Sequence, residues 1–291
     1  MRPKIALVLG GGGSRGLAHI GVLEVLVREQ IPIDYIIGTS MGAIIGGLFA
    51  AGYSPQKIAD DLDHLRGNNI FNFNFFSARA RQSDTEKQLN WRLKGKTFAD
   101  MKIPLKVMAV DVVHGREVTL EEGDLIPAIL ASSAVPAVFP PVEIDNMQLA
   151  DGGVIDSLAT HVGYEVGADY IIAVDVYPPL ETDDPWIDPL SAIMGFQLPF
   201  NLFGNTERAK LPGIAASMWR SFRVMAWHLH EERLKAAPPD VLLRPMVGGY
   251  GSLDFTDVDG PIQVGRLEAE NHLPMIKSLL ELPDQLEAGN D

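Results

Sequence analysis

The stretch from Ile36 to Gly46, Ile-Ile-Gly38-Thr39-Ser40-Met41-Gly42-Ala-Ile-Ile-Gly46, constrains the chain more than any other. An apolar run opening at Tyr35 leads into a Gly-x-Ser-x-Gly pentapeptide, and an apolar helical pattern with Ile44, Ile45, Leu48 and Phe49 follows. Glycines two residues either side of a serine permit a sharp strand-to-helix turn, because a Cβ at either place would strike the neighbouring strand or helix. Such a turn exposes one hydroxyl at a helix N-terminus, where unpaired amides and the helix dipole favour developing negative charge. Ser40 is therefore the candidate nucleophile.

The flanks repeat the strand-loop-helix alternation. Lys4 to Leu9 carries a continuous apolar run after its lysine, as a central parallel strand buried on both faces should. A glycine run, Gly10-Gly11-Gly12-Gly13-Ser14-Arg15-Gly16, follows, and then a helical pattern from Leu17 to Glu29. The alternation predicts a parallel sheet with right-handed crossovers. Further strands are expected at Pro104 to Val113, Glu117 to Leu120, Tyr170 to Val176 and Val241 to Leu243, with a hairpin turning at Asp145-Asn146. Helices are expected over Gly52 to Leu65, from Asp124 onward, and over Ile262 to Leu280, with a fraying acidic end from Glu281 to Asp291.

Gly11-x-Gly13-x-x-Gly16 matches the dinucleotide fingerprint, but that site needs an acid at the end of the second strand, and here Asp34 stands at its beginning. The alternative use of such a loop is to aim successive amides at the oxygen of a tetrahedral intermediate, and Gly12, Gly13 and Ser14 are the amides nominated for it. Arg15 has the rigid fork suited to clamping the loop through a carboxylate or carbonyls, the alternative being that it faces a substrate phosphate. A serine commonly relies on histidine as base. Of the seven histidines, His228 and His272 lie late enough for a hydrolase triad, yet neither sits in a glycine-flanked turn, and His230 precedes a charged run that reads as a solvated helix face. Asp151, at a strand end and followed by Gly152-Gly153, is the better candidate base, provided burial raises its pKa.

These residues together resemble the patatin-like phospholipase family. Gly11 to Gly16 is similar to its oxyanion loop, Gly38-Thr39-Ser40-Met41-Gly42 to its nucleophile elbow, Asp151-Gly152-Gly153 to its catalytic aspartate motif, and the proline-bounded Ala131 to Pro141 run to a further block near the site. After the aspartate motif the family often carries asparagine and then proline, where this chain has Ser157-Leu158-Ala159. The resemblance implies a three-layer α/β/α fold with a mainly parallel sheet, a Ser40-Asp151 dyad, and calcium-independent hydrolysis of lipid or small acyl esters through an acyl-enzyme, without metal or cofactor. A non-catalytic member of the same fold, acting in lipid sensing, is the alternative.

The 291 residues are expected to form a single catalytic domain, with 178–237 as a cap or lid insertion opened by an acidic, proline-rich stretch. The aromatic stretch Phe71 to Phe76 is expected to form a packed lid, with an edge strand or a lipid-touching loop as alternatives; it and Phe196 to Phe203 are apolar enough to suggest weak contact with a lipid surface, whereas the stripe Met218, Phe222, Met225 and Leu229 is expected to pack in the core. The net charge of −14 argues against nucleic acid as partner. The absence of cysteine excludes disulfides and thiolate metal sites. The apolar run at Ile5 to Leu9 is too short for a signal peptide, and no run reaches the length of a membrane span, so a cytoplasmic location, with peripheral membrane contact, is expected.

Overall fold

A computed structural model of the chain describes residues 2–67, 78–136, 138–180 and 214–286. Phe71 to Phe76 and Phe196 to Phe203 lie outside the described residues. The sheet is built from β1 (Ile5–Leu9), β2 (Tyr35–Thr39), β3 (Leu105–Asp111), β4 (Arg116–Leu120), β5 (Val142–Ile144), β6 (Met147–Asp151), β7 (Tyr170–Val174) and β8 (Val241–Leu243). Its order is β5-β6-β3-β2-β1-β7-β8, with β4 also paired to β3. From β3 through β2, β1 and β7 to β8 every pairing is parallel, while β4 and β6 run antiparallel to β3 and β5 antiparallel to β6.

The helices are α1 (Ala18–Arg28), α2 (Met41–Ala50), α3 (Pro55–Gly67), α4 (Ala78–Leu93), α5 (Leu125–Ser132), α6 (Thr160–Glu165), α7 (Ile214–Ala236) and α8 (Asp259–Leu286). Strand alternation divides the core between two faces. Ile5, Leu7 and Leu9 of β1 pack with α1, α2, α3, α5 and α8, while Ala6 and Val8 pack with Val162 of α6 and Leu234 of α7. The result is the expected α/β/α sandwich.

The predicted hairpin forms, with Ile144 opposite Met147 and both Asp145 and Asn146 at positive φ, the conformation a tight two-residue turn requires. The helix α4 was not anticipated, since its largely polar sequence buries, among its described side chains, only Leu89 and Leu93, one turn apart, and so lacks a helical apolar stripe.

Two expectations about α7 are corrected. Met218, Phe222, Met225 and Leu229 are exposed rather than packed in the core. His230, read as part of a solvated face, is buried and meets Asp175 at 3.0 Å. Burial raises the Asp175 pKa, but the His230 hydrogen bond and the charge of Arg244 outweigh it and hold the carboxyl below its ordinary range. Arg223, over the Tyr177 ring, donates to the Pro178 and Pro179 carbonyls, completing the attachment of α7 to the chain leaving β7.

Candidate active site

Register places the two candidate reactive residues at one level. Thr39 of β2 lies opposite Met108 of β3, and Asp151 of β6 lies opposite Ala109 on the other side of the same strand. Ser40 and Asp151 therefore flank β3 at the same height. Ser40 has φ 54° and ψ −120°, a left-handed conformation that a serine adopts only when its surroundings impose it. The surroundings do so by contact: a Cβ on Gly38 would fall 2.6 Å from Ala43 Cα, and one on Gly42 would overlap the Leu9 carbonyl oxygen. The Ser40 carbonyl accepts from the Ala43 and Ile44 amides and starts α2, while its hydroxyl takes no part in capping and lies beside the Asp151 carboxylate, whose pKa it lowers.

Asp151 is 6% exposed, and burial pushes its pKa up to about 6 against the lowering effect of the Ser40 hydroxyl and the Gly153 amide. Gly153 N–H donates to Asp151 Oδ1 at 2.8 Å and orients the carboxylate. The family-like block at the end of α5 braces both residues at once. The Ser40 amide donates to the fully buried Ser132 Oγ at 2.9 Å, and the Asp151 amide donates to the Ala134 carbonyl at 3.1 Å. Sequence reading did not single out Ser132 or Ala134.

The glycine loop lies alongside. A Cβ on Gly11 would stand 3.2 Å from Ser40 Cβ. The Gly10 and Gly11 amides are bound by the Val174 and Ser157 carbonyls, and those of Gly12 and Gly13 meet no acceptor among the described residues. The Ser14 amide, nominated with them, donates to the Ser252 carbonyl at 2.8 Å and its hydroxyl to the Gly251 carbonyl at 2.6 Å, so its hydrogen-bonding capacity holds the loop. Arg15 donates to Ser252 Oγ at 2.8 Å. Gly13 has φ 60°, and a Cβ there would overlap the Ser252 carbonyl oxygen. Gly16 admits the Met41 side chain, whose Cβ would lie 2.7 Å from any Cβ added there. Gly152 packs on β3, where a Cβ would meet the Met108 carbonyl oxygen at 2.8 Å. Ser157, at the point of departure from the family pattern, donates its hydroxyl to the Gly11 carbonyl at 3.1 Å and thereby ties the aspartate loop to the glycine loop.

Among the described side chains, the histidines have other partners or lie exposed. His19 is fully buried against the Gly10 carbonyl, and burial lowers its pKa to about 4, so it is neutral and donates from Nε2. His114 contacts Asp111, His161 lies near Asp156, His272 contacts the Glu268 carbonyl, and His228 is exposed on α7. Asp34 is engaged by Arg2 and the Ile5 amide at the amino end of the strands, away from the glycine loop that a dinucleotide would occupy. Among the described residues no helix is long and apolar enough to cross a membrane.

Two curated relatives are a protein named lysophospholipase nte1 from Aspergillus fumigatus, 30% identical over 294 residues, and one named lysophospholipase NTE1 from Lodderomyces elongisporus, 30% identical over 289. These alignments cover 97% and 96% of this chain but only 19% and 20% of the relatives, so the chain corresponds to about a fifth of their length. Among solved structures, VipD from Legionella pneumophila superposes with a TM-score of 0.41 at 11% identity, over 81% of this chain and 67% of that one. The family model described as patatin-like phospholipase matches residues 7–164, a span that runs from β1 through Ser40 and Asp151 into α6. With more than half of the chain matched, and with the elbow, the glycine loop and the aspartate in their expected order within the match, the chain belongs to the patatin-like phospholipase family.

Proposed function

We propose that the protein is a serine acyl-ester hydrolase of lipid substrates, working through a Ser40-Asp151 dyad. The observation that carries this reading is the left-handed Ser40 beside a carboxylate whose pKa burial has raised to about 6. A carboxylate of ordinary acidity is a poor base for a hydroxyl, and the raised value brings Asp151 nearer to working pH.

In the proposed sequence Asp151 removes the Ser40 proton as Oγ attacks the ester carbonyl carbon. The Gly12 and Gly13 amides, with the N-terminus of α2, stabilise the oxyanion. Each such donor is worth about 10²–10³ in rate. The intermediate collapses, breaking the carbonyl carbon to alkoxy oxygen bond, and the proton held by Asp151 passes to the departing alcohol. Water then enters, gives its proton to Asp151 and attacks the acyl-enzyme. Release of the carboxylic acid returns the proton to Ser40. A lipid acyl ester is the substrate class supported by membership of the family and by relatives named lysophospholipases.

The test is hydrolysis of a chromogenic medium-chain acyl ester by the wild type and by Ser40→Ala, Asp151→Asn and His272→Ala, with folding confirmed by circular dichroism. The first two variants should lose about 10³-fold or more in kcat/KM and the third should retain it. A dead His272→Ala would replace the dyad with a triad, and an inactive wild type would favour the lipid-sensing alternative.

A further inference from the structure

Two consecutive peptides of the glycine loop are held in different ways. In the Gly10–Gly11 peptide both polar groups are engaged, the carbonyl by His19 Nε2 at 2.7 Å and the amide by the Ser157 carbonyl at 2.9 Å. In the Gly11–Gly12 peptide only the carbonyl is engaged, accepting from the Ser157 hydroxyl at 3.1 Å, while the Gly12 amide meets no acceptor among the described residues. One residue, 146 positions along the chain, therefore grips Gly11 through both its amide and its carbonyl.

A trans peptide is planar, and its carbonyl and N–H point in opposite directions. Whatever fixes the Gly11 carbonyl also aims the Gly12 N–H. The loop cannot do this for itself, because four consecutive glycines carry no Cβ to restrict φ and ψ, and a peptide between two of them turns over at little steric cost. The Ser157 hydroxyl supplies the constraint from outside the loop. It does so next to the nucleophile, since a Cβ on Gly11 would stand 3.2 Å from Ser40 Cβ and 3.4 Å from Ser157 Oγ.

Ser157 is in turn held in place by its neighbours. It is buried, as are Asp156 before it and Leu158 after it. Asp156 accepts from the Leu158 amide at 2.9 Å through Oδ1 and presents Oδ2 to His161 at 3.5 Å and Arg233 at 3.7 Å. Leu158 packs with Ala6 and Val8 of β1, and its Cδ1 would lie 3.2 Å from a Cβ on Gly10. The same segment opens with Asp151, whose carboxylate accepts from the Gly153 amide. Residues 151–158 thus carry the base at one end and the grip on the glycine loop at the other. A hydroxyl here belongs to this chain and not to the family pattern, which often carries asparagine in this part of the motif.

We infer that Ser157 is a positioning residue for the oxyanion: its hydroxyl sets the Gly11–Gly12 peptide so that the Gly12 N–H is left free to donate to the oxygen of the tetrahedral intermediate. The assignment rests on the hydrolase reading, and Ser157 acts through the peptide rather than on the reacting atoms.

The test compares a medium-chain acyl ester with the thionoester in which sulfur replaces its carbonyl oxygen, using the wild type, Ser157→Ala, Ser157→Thr and Ser40→Ala, with a melting temperature for each. Sulfur is a weak hydrogen-bond acceptor, so a donor aimed at the oxyanion accelerates the ester far more than the thionoester. Ser157→Ala keeps the main-chain bond to Gly11 and loses only the hydroxyl. It should lower kcat/KM on the ester by about tenfold or more, through kcat rather than KM, and on the thionoester by much less, so that the ratio of the two falls. Ser157→Thr keeps a hydroxyl on the same Cβ and should recover the ester rate to within about threefold. An unchanged ester rate in folded Ser157→Ala, or an equal loss on both substrates, would overturn the proposal, the second result leaving Ser157 a structural residue only. So would a folded Ser157→Thr as slow as Ser157→Ala. If the threonine variant does not melt cooperatively, the substrate ratio in Ser157→Ala decides alone. A wild type inactive on the ester, or activity retained by Ser40→Ala, removes the hydrolase reading and this role with it, whereas activity that depends on Ser40 with an unmoved ratio removes only the role of Ser157.

Discussion

At the scale of single residues, one proton on Asp151 should act on stability and catalysis with opposite signs. Its pKa of about 6 exceeds the unfolded value of 3.8, so the folded state binds more protons between those limits. Stability from this group is therefore full below about pH 4 and is lost as pH rises through about 6. The shift is equivalent to about 3 kcal/mol at most. Asp151→Asn should accordingly gain stability over the wild type above pH 6, with the difference shrinking toward pH 4, as measured by urea unfolding across pH. The same proton blocks the base, so kcat/KM of the wild type should rise with pH through about 6. Ser132→Ala would leave the buried Ser40 amide without its acceptor, at about 1–3 kcal/mol in stability, and should lower kcat through loss of the elbow's brace. Ser40 and Asp151 were legible because each carries its own glycines. Ser132 was not, because Ser132 and Ser133 are equivalent in sequence and only the end of α5 against the elbow selects the first.

At the scale of elements, the elbow is fixed by approach of backbone to backbone. Gly42→Ala would drive a methyl into the Leu9 carbonyl, a rigid neighbour in a central strand, and should cost several kcal/mol, leaving little soluble protein. Gly95→Ala, at φ 68° with open space around it, should cost only the backbone strain of about 1 kcal/mol. The contrast, read by soluble yield and melting temperature, separates contact from conformation. The element the sequence misrepresented is α7. Helical spacing reports that a stripe exists without saying which side of the helix the protein covers. Here the covered side is the polar and aromatic one, held by His230 on Asp175 and by Arg223 over Tyr177, because the partners arrive from β7. His230→Ala would leave Asp175 buried with Arg244 as its remaining cation, and should destabilise the fold by about 2 kcal/mol or more in denaturant unfolding.

At the scale of the whole molecule, the site depends on chain far beyond the family-matched span. Residues 7–164 carry the elbow, the glycine loop and the aspartate, but the glycine loop is held from 237 or 238 residues away by the Gly251 and Ser252 carbonyls and the Ser252 hydroxyl. That connection is positioned by α8, which lies so close to α1 that a Cβ on Gly21 would overlap the Ile262 carbonyl and one on Gly265 the Ala18 carbonyl. The strand β8 covers the open edge of β7, which would otherwise present unpaired backbone to solvent. None of this was legible in the glycine run itself, because the loop's partners are backbone carbonyls, which carry no residue signature. It follows that a chain ending after residue 236 would retain every reactive residue and still lose the brace of the loop, the cover of β7 and the apolar face beneath α8. Such a truncation should show no cooperative thermal transition and no ester hydrolysis, where the full chain melts cooperatively. A truncated protein that melted sharply and kept its activity would mean that the N-terminal portion builds the oxyanion loop unaided, and that the contacts of Ser252 follow from the fold rather than hold it.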